Sequence, residues 1–274
     1  MGAILEVKDM TIRFGGLVAL ENVTIEVPEW EIVGLIGPNG AGKTTLFNCA
    51  MGLYAPDSGT VAYKGRDISA LPTHRRVSLG IGRTWQNIGL VRDLTVIENM
   101  MIAQHARIGY GALGGIFGAP RSFAEERRLR AAGLEVLDFL DLAHLADEVL
   151  DGLPYGTLKL IEIGTVLATD PELVLLDEPS SGMGPEEAHA LGERLLKLRS
   201  ELHLTVLMIE HHVPLVVGVC DFVYVLNFGK VLTKGVPTDV QNHPEVVAAY
   251  LGGEAEKVGS GAGPGAGEAT DGAS

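Results

Sequence analysis

Residues 32–36 read Ile-Val-Gly-Leu-Ile, and Gly37-Pro38-Asn39-Gly40-Ala41-Gly42-Lys43-Thr44 follow directly. The apolar run predicts a buried strand, and the stretch from Lys43 to about Met51 predicts a helix. The joint between them fits G-x-x-x-x-G-K-[ST], in the strand-then-helix setting that gives this pattern its meaning. A glycine-rich turn elsewhere would be only a turn. Here the glycines let backbone N–H groups converge on an anion, and the helix start adds its dipole. Lys43 reaches the outer phosphates of such a ligand, and the Thr44 hydroxyl can ligate Mg2+.

This junction calls for an α/β chain, and the remaining pattern agrees. Ile4 to Lys8, Thr11 to Arg13, Val23 to Val27 and Thr60 to Tyr63 read as short strands, punctuated by Gly15-Gly16 and Pro28. Leu173 to Leu176, Thr205 to Ile209 and Phe222 to Leu226 read as buried strands. Pro185 with Glu186 and Glu187 opens a helix between two of them. Buried strands separated by helices predict a mostly parallel sheet covered on both faces. Residues 109–118 hold five glycines and no charge, which reads as a connector. Ser122 with Glu125 then reads as a capping box opening a helix that runs to about Leu150. Residues 252–274 contain 8 Gly and 5 Ala, too little apolar surface to offset the entropy of ordering.

The net charge of −14 argues against a phosphate backbone as main partner. It also disfavours direct docking on anionic lipid. The longest stretches without Asp, Glu, Lys or Arg are 44–56 and 108–120, shorter than the roughly 20 apolar residues of a spanning helix. Gly2 is followed at position 6 by Glu6, not the Ser or Thr of an acylation signal, so no lipid anchor is expected. The N-terminus has no secretory pattern. Cys49 and Cys220 lie in apolar segments and read as reduced thiols of a cytosolic protein.

Leu173-Val174-Leu175-Leu176 runs straight into Asp177-Glu178. A buried strand delivers these carboxylates at its carboxyl end, where ligands collect in parallel sheets. Asp177 can hold Mg2+ there, and Glu178, pointing the other way, can polarise a water.

With these residues in place the chain resembles the ATP-binding subunits of ABC transporters. Gln86 in Arg83-Thr84-Trp85-Gln86-Asn87 resembles the glutamine loop. Leu153-Pro154-Tyr155-Gly156-Thr157 stands where the signature L-S-G-G-Q would be, Ser180 to Pro185 resembles the D-loop, and His211 the switch histidine. Phe14 takes the place of the aromatic that stacks on adenine. A narrower resemblance is to importers of branched-chain (hydrophobic) amino acids. It is carried by Phe14-Gly15-Gly16-Leu17, by the stretch from Gly37 to Asn48, by Thr95 to Asn99, by Ile209-Glu210-His211 and by the ending Ala249-Tyr250-Leu251-Gly252.

The resemblance implies a P-loop NTPase core with a mostly parallel sheet, an N-terminal antiparallel β subdomain and a helical signature subdomain at about residues 90–165. The domain would span 3–253, with 254–274 a disordered tail. It implies nucleotide contacts from Phe14, Gly37, Pro38, Asn39, Gly40, Ala41, Gly42, Lys43, Thr44, Thr45, Gln86, Tyr155 and Gly156. It implies Mg2+ at Thr44, Gln86 and Asp177, and catalysis by Glu178 and His211. The partners implied are a second ATP-binding subunit, a paralogue or an identical copy, and integral membrane permeases. The chain would then sit on the inner face of the cell membrane. Pro154, Thr157, Thr165, Gly184 and His212 depart from the family pattern. Two other readings stay open at this level: an ABC ATPase outside transport, and a regulatory nucleotide-binding subunit with weak turnover.

Overall fold

The computed structural model describes residues 2–84, 89–105 and 120–250. In chain order the first elements are β1 (Ala3–Phe14), β2 (Leu17–Pro28), β3 (Ile32–Ile36), α1 (Lys43–Ala50), β4 (Ser58–Tyr63), β5 (Arg66–Asp67), α2 (Thr73–Ser78) and β6 (Ile81–Arg83). There follow α3 (Val96–His105), α4 (Pro120–Phe139), α5 (Tyr155–Leu167), β7 (Leu173–Asp177), α6 (Pro185–Leu202) and β8 (Thr205–Ile209). The last are α7 (Val213–Val219), β9 (Phe222–Asn227), β10 (Lys230–Gly235) and α8 (Pro237–Gln241), after which residues 244–250 are again helical.

Two sheets result. The N-terminal one is antiparallel, in the order β2-β1-β4-β5. The central one runs β10-β9-β3-β8-β7-β6, parallel throughout except for β10 at its edge. This is the expected α/β class with its antiparallel companion. Side chains alternate across the central sheet as strand geometry requires. Ile32, Ile36, Val174, Leu176, Val206 and Met208 pack on the face covered by α5, α6 and α7. Val33, Leu35, Leu173, Leu175, Leu207 and Ile209 pack on the other face, against α1 and the N-terminal sheet. Cys49 and Cys220 are unpaired and buried. Burial pushes their thiols up to about 11 and about 12.

Two expectations are corrected. Ile4 to Lys8 and Thr11 to Arg13 are one strand, not two. Asp9 takes φ 49° as a bulge, its N–H donating to Thr24 Oγ1, and β1 continues through it. The helix expected to reach Leu150 ends at Phe139. Asp141 turns left-handed at φ 61°, and Leu142 N–H returns to Leu137 O. This lets Leu142, Ala146 and Leu150 enter the core while Ala146 O and Glu148 O accept N–H groups from the start of α3. Gln86, the 109–118 connector, the Ser122 side chain and the 254–274 tail lie outside the described residues.

Candidate functional site

Register in the central sheet decides what meets what. Leu35 pairs with Ile209, and Ile209 with Asp177, so β3, β8 and β7 end side by side. Past those ends lie Gly37 to Gly42, Asp177-Glu178 and Glu210-His211.

The loop after β3 is shaped by its glycines. Gly37 has φ 147°, and a Cβ there would lie 2.1 Å from Leu226 O. Gly42, at φ 103°, would bring one to 2.7 Å from Ala19 O. No other residue fits either position. Gly42 is the N-cap of α1, and no side chain caps that helix. Lys43 Nζ, largely buried, donates to Gly37 O at 2.7 Å and Pro38 O at 3.0 Å. Burial pulls its pKa down, and the charges of Glu178 and then Asp177 pull it back up. A buried cation held by its own loop's carbonyls, above an uncapped helix start, has the chemistry of a phosphate cradle.

Asp177 is 2% exposed. Its carboxylate Oδ2 accepts from Arg83 Nη2 at 2.9 Å, and the same guanidinium donates to Asn48 Oδ1 at 2.7 Å. Its backbone N–H donates to Thr84 Oγ1. Glu178 leaves the strand at φ 50°, an unusual conformation for glutamate, with its N–H on Ile209 O. Its Oε1 lies 3.9 Å from His211 Nδ1. Glu210, fully buried, accepts N–H groups from Ser180, His211 and His212 at 2.9, 2.9 and 3.1 Å. One carboxylate thus ties the turn after β7 to the turn after β8.

The structure therefore brings together Lys43, Asp177, Glu178 and His211. The rest of the loop, residues 37–45, lies with Lys43, whereas Phe14, Tyr155 and Gly156 stand on other elements. Phe14 stands half exposed near the β1–β2 turn, edge-on to Tyr54 at 5.3 Å. Tyr155 and Gly156 open α5 and interlock with the turn before α6 and its first residues. A Cβ on Gly156 would meet Glu187 Oε1 at 2.7 Å, and one on Gly182 would meet the Tyr155 ring at 2.7 Å. Sequence reading singled out neither Arg83, Asn48, Glu210 nor Tyr54 for these contacts. Asn48 and Asp177 lie far from Arg83 along the chain, as Ser180 does from Glu210 and Phe14 from Tyr54. Tyr250, quoted above only as part of an ending, accepts the Gly37 N–H at 3.0 Å.

The residues fit Mg2+ in one way. Among those described, no group of three His, Cys, Asp or Glu could hold a metal by itself. Buried Asp177 and the Thr44 hydroxyl are the sparse oxygen donors that suit a cation completing its shell with phosphate and water.

A parallel sheet carrying a phosphate loop on its central strand and an acidic pair two strands away defines the phosphate-loop nucleotide hydrolases. The ABC transporter family model matches residues 20–181, and a model of branched-chain amino acid ATP-binding cassette transporters matches residues 230–256. The chain belongs to the ABC transporter family. It is 41% identical over 251 residues to the high-affinity branched-chain amino acid transport ATP-binding protein LivG of Salmonella typhimurium, covering 91% of this chain and 98% of that one. It is 40% identical over 249 residues to BraF of Pseudomonas aeruginosa, a protein of the same description, with the same coverage. Among solved structures, the ADP conformation of an ATP-binding cassette of an ABC transporter superposes with a TM-score of 0.82 at 32% identity. That match covers 92% of this chain and all of the other.

Proposed function

We propose that this chain binds and hydrolyses MgATP as one ATP-binding subunit of an ABC importer for branched-chain or other hydrophobic amino acids or related amides. The relatives named above support the transport reading, since each matches over nearly its whole length. The observation that carries the chemistry is buried Lys43, bonded to its own loop beneath Asp177 and Glu178.

In this reading Lys43 leaves the Gly37 and Pro38 carbonyls for the outer phosphates of ATP. Backbone N–H groups from Asn39 to Thr45 surround the same phosphates, and Phe14, beside Tyr54, takes the adenine. Thr44 and Asp177, joined by Gln86, would hold Mg2+, which when bound would supply positive charge beside the phosphates. Glu178 orients the attacking water, and His211 contacts the γ-phosphate. Tyr155 and Gly156 serve the ATP held by a second ATP-binding subunit, a paralogue or a second copy. Permease subunits couple closure of the pair to transport and hold this chain on the inner face of the membrane. Among the described residues no helix is long and apolar enough to cross one.

The test is reconstitution with the neighbouring permeases, partner subunit and binding protein in vesicles. ATP-driven uptake of labelled leucine, lost with Glu178→Gln in this chain, is the expected result. ATP hydrolysis that never couples to uptake of any hydrophobic amino acid or amide would favour an ATPase outside transport.

A further inference from the structure

Gly37 is held at both of its polar groups. Its C=O accepts from Lys43 Nζ at 2.7 Å, and its N–H donates to the Tyr250 hydroxyl at 3.0 Å, 213 residues away. These holds differ in kind. The Lys43 contact must be given up when that cation turns to phosphate. The Tyr250 contact uses nothing that a nucleotide needs.

Tyr250 is anchored independently of the loop. On the same terminal helix Val246 is buried in the core beside Val240 of α8. The Tyr250 ring borders an apolar cavity of about 240 Å3 with Ile36, Val216, Val223 and Val246. Burial raises its pKa, so the phenol stays neutral and its oxygen accepts. The same helix also runs along the outside of the loop. Glu245, Ala248 and Ala249 share a second cavity, of about 590 Å3, with Pro38, Asn39 and Gly40.

We propose that Tyr250 is a positioning residue of the phosphate loop: its hydroxyl fixes the Gly37 amide so that the loop is set before nucleotide arrives, and the C-terminal helix thereby sets nucleotide affinity. The proposal rests on the nucleotide-site reading above. A loop ordered in advance leaves less entropy to be lost on binding, equally for substrate and transition state. The signature is therefore a raised KM for ATP at unchanged kcat.

The variant is Tyr250→Phe in the full chain, which keeps the ring and its packing and removes only the acceptor. Three measurements go together. Amide hydrogen exchange of the peptide containing Gly37 is expected to speed up without nucleotide. ATP affinity is expected to fall by about 3- to 10-fold, the effect of one neutral hydrogen bond. In the assembled transporter, KM for ATP is expected to rise by the same factor while kcat holds. Equal ATP affinity of variant and wild type would overturn the proposal. So would weaker binding without faster exchange at Gly37, which would assign the effect to packing. A wild-type chain that binds no ATP would instead overturn the functional reading, and the exchange measurement would then decide the latch alone.

Discussion

Helix α1 starts after Gly42 and helix α5 after Pro154, and neither start is capped by a side chain. Both therefore turn unsatisfied N–H groups outward, the property that makes a helix start attract anions. They are equipped differently. The α1 start carries a buried lysine as its first residue, two carboxylates whose charges act on that lysine, and a loop wedged against β9. The α5 start has a proline, which brings no N–H, then a half-exposed tyrosine. The first cation along α5, Lys159, lies a turn further on and is paired to Glu162 at 3.4 Å. The contrast teaches that the parts of one phosphate cradle are gathered within this chain, while on the proposed reading the other helix start faces ATP held by a second subunit.

Breaking the cradle at α1 gives the largest effect. Lys43→Ala removes one ammonium able to make more than one charged hydrogen bond, so ATP affinity of the isolated chain is expected to fall by about 10²- to 10⁴-fold, read by calorimetry. Wild-type affinity would remove the phosphate loop from the site. Glu178→Gln sharpens the same side. Affinity is expected to hold while kcat of the assembled complex drops by about 10²-fold or more; normal turnover would move the water-orienting role to another residue.

The α5 side is tested by asymmetry. On the proposed reading, ATP held by a second subunit meets this α5 with one donor fewer, since Pro154 brings neither a serine hydroxyl nor an N–H. That loss is worth about 1.5–3 kcal/mol, or roughly 10- to 150-fold in rate. Disabling the catalytic glutamate of this chain and that of its partner separately is expected to leave unequal residual rates, and equal rates would refute the contrast. The smallest effect is Gly156→Ala. The new methyl displaces Glu187, whose Oε2 accepts the Gly184 N–H at 2.9 Å at the start of α6. Stability measured by denaturation is expected to fall by about 0.5–2 kcal/mol, with ATP affinity of the isolated chain unchanged.

The α1 side was legible because it is contiguous: strand, glycines, lysine and helix follow one another, and each local rule points the same way. Asp177 and Glu178 were legible as the polar end of an apolar run. The buried link from Arg83 to Asp177 was not, because it joins residues 94 apart, and neither strand pattern announces the pairing. Asp9 misled for a physical reason. The residue types that make turns also make bulges, and only the partner strand distinguishes them. The shortened α4 was hidden because Ala and Leu suit both a helix and the buried return that replaces its last turns.

The place of β3 in the sheet has a consequence for how the molecule is made. Its neighbours are β8 and β9, the carbonyl that wedges Gly37 belongs to Leu226, and the Gly37 amide waits for Tyr250. At ordinary elongation speeds roughly 10–40 s separate synthesis of Gly37 from synthesis of Tyr250. Through that interval β3 has the N-terminal sheet and α1 to pack on but lacks both of its neighbours in the central sheet. The native walls of the loop on the β8–β9 side therefore come from the last third of the chain and are the last part of the cradle to be made.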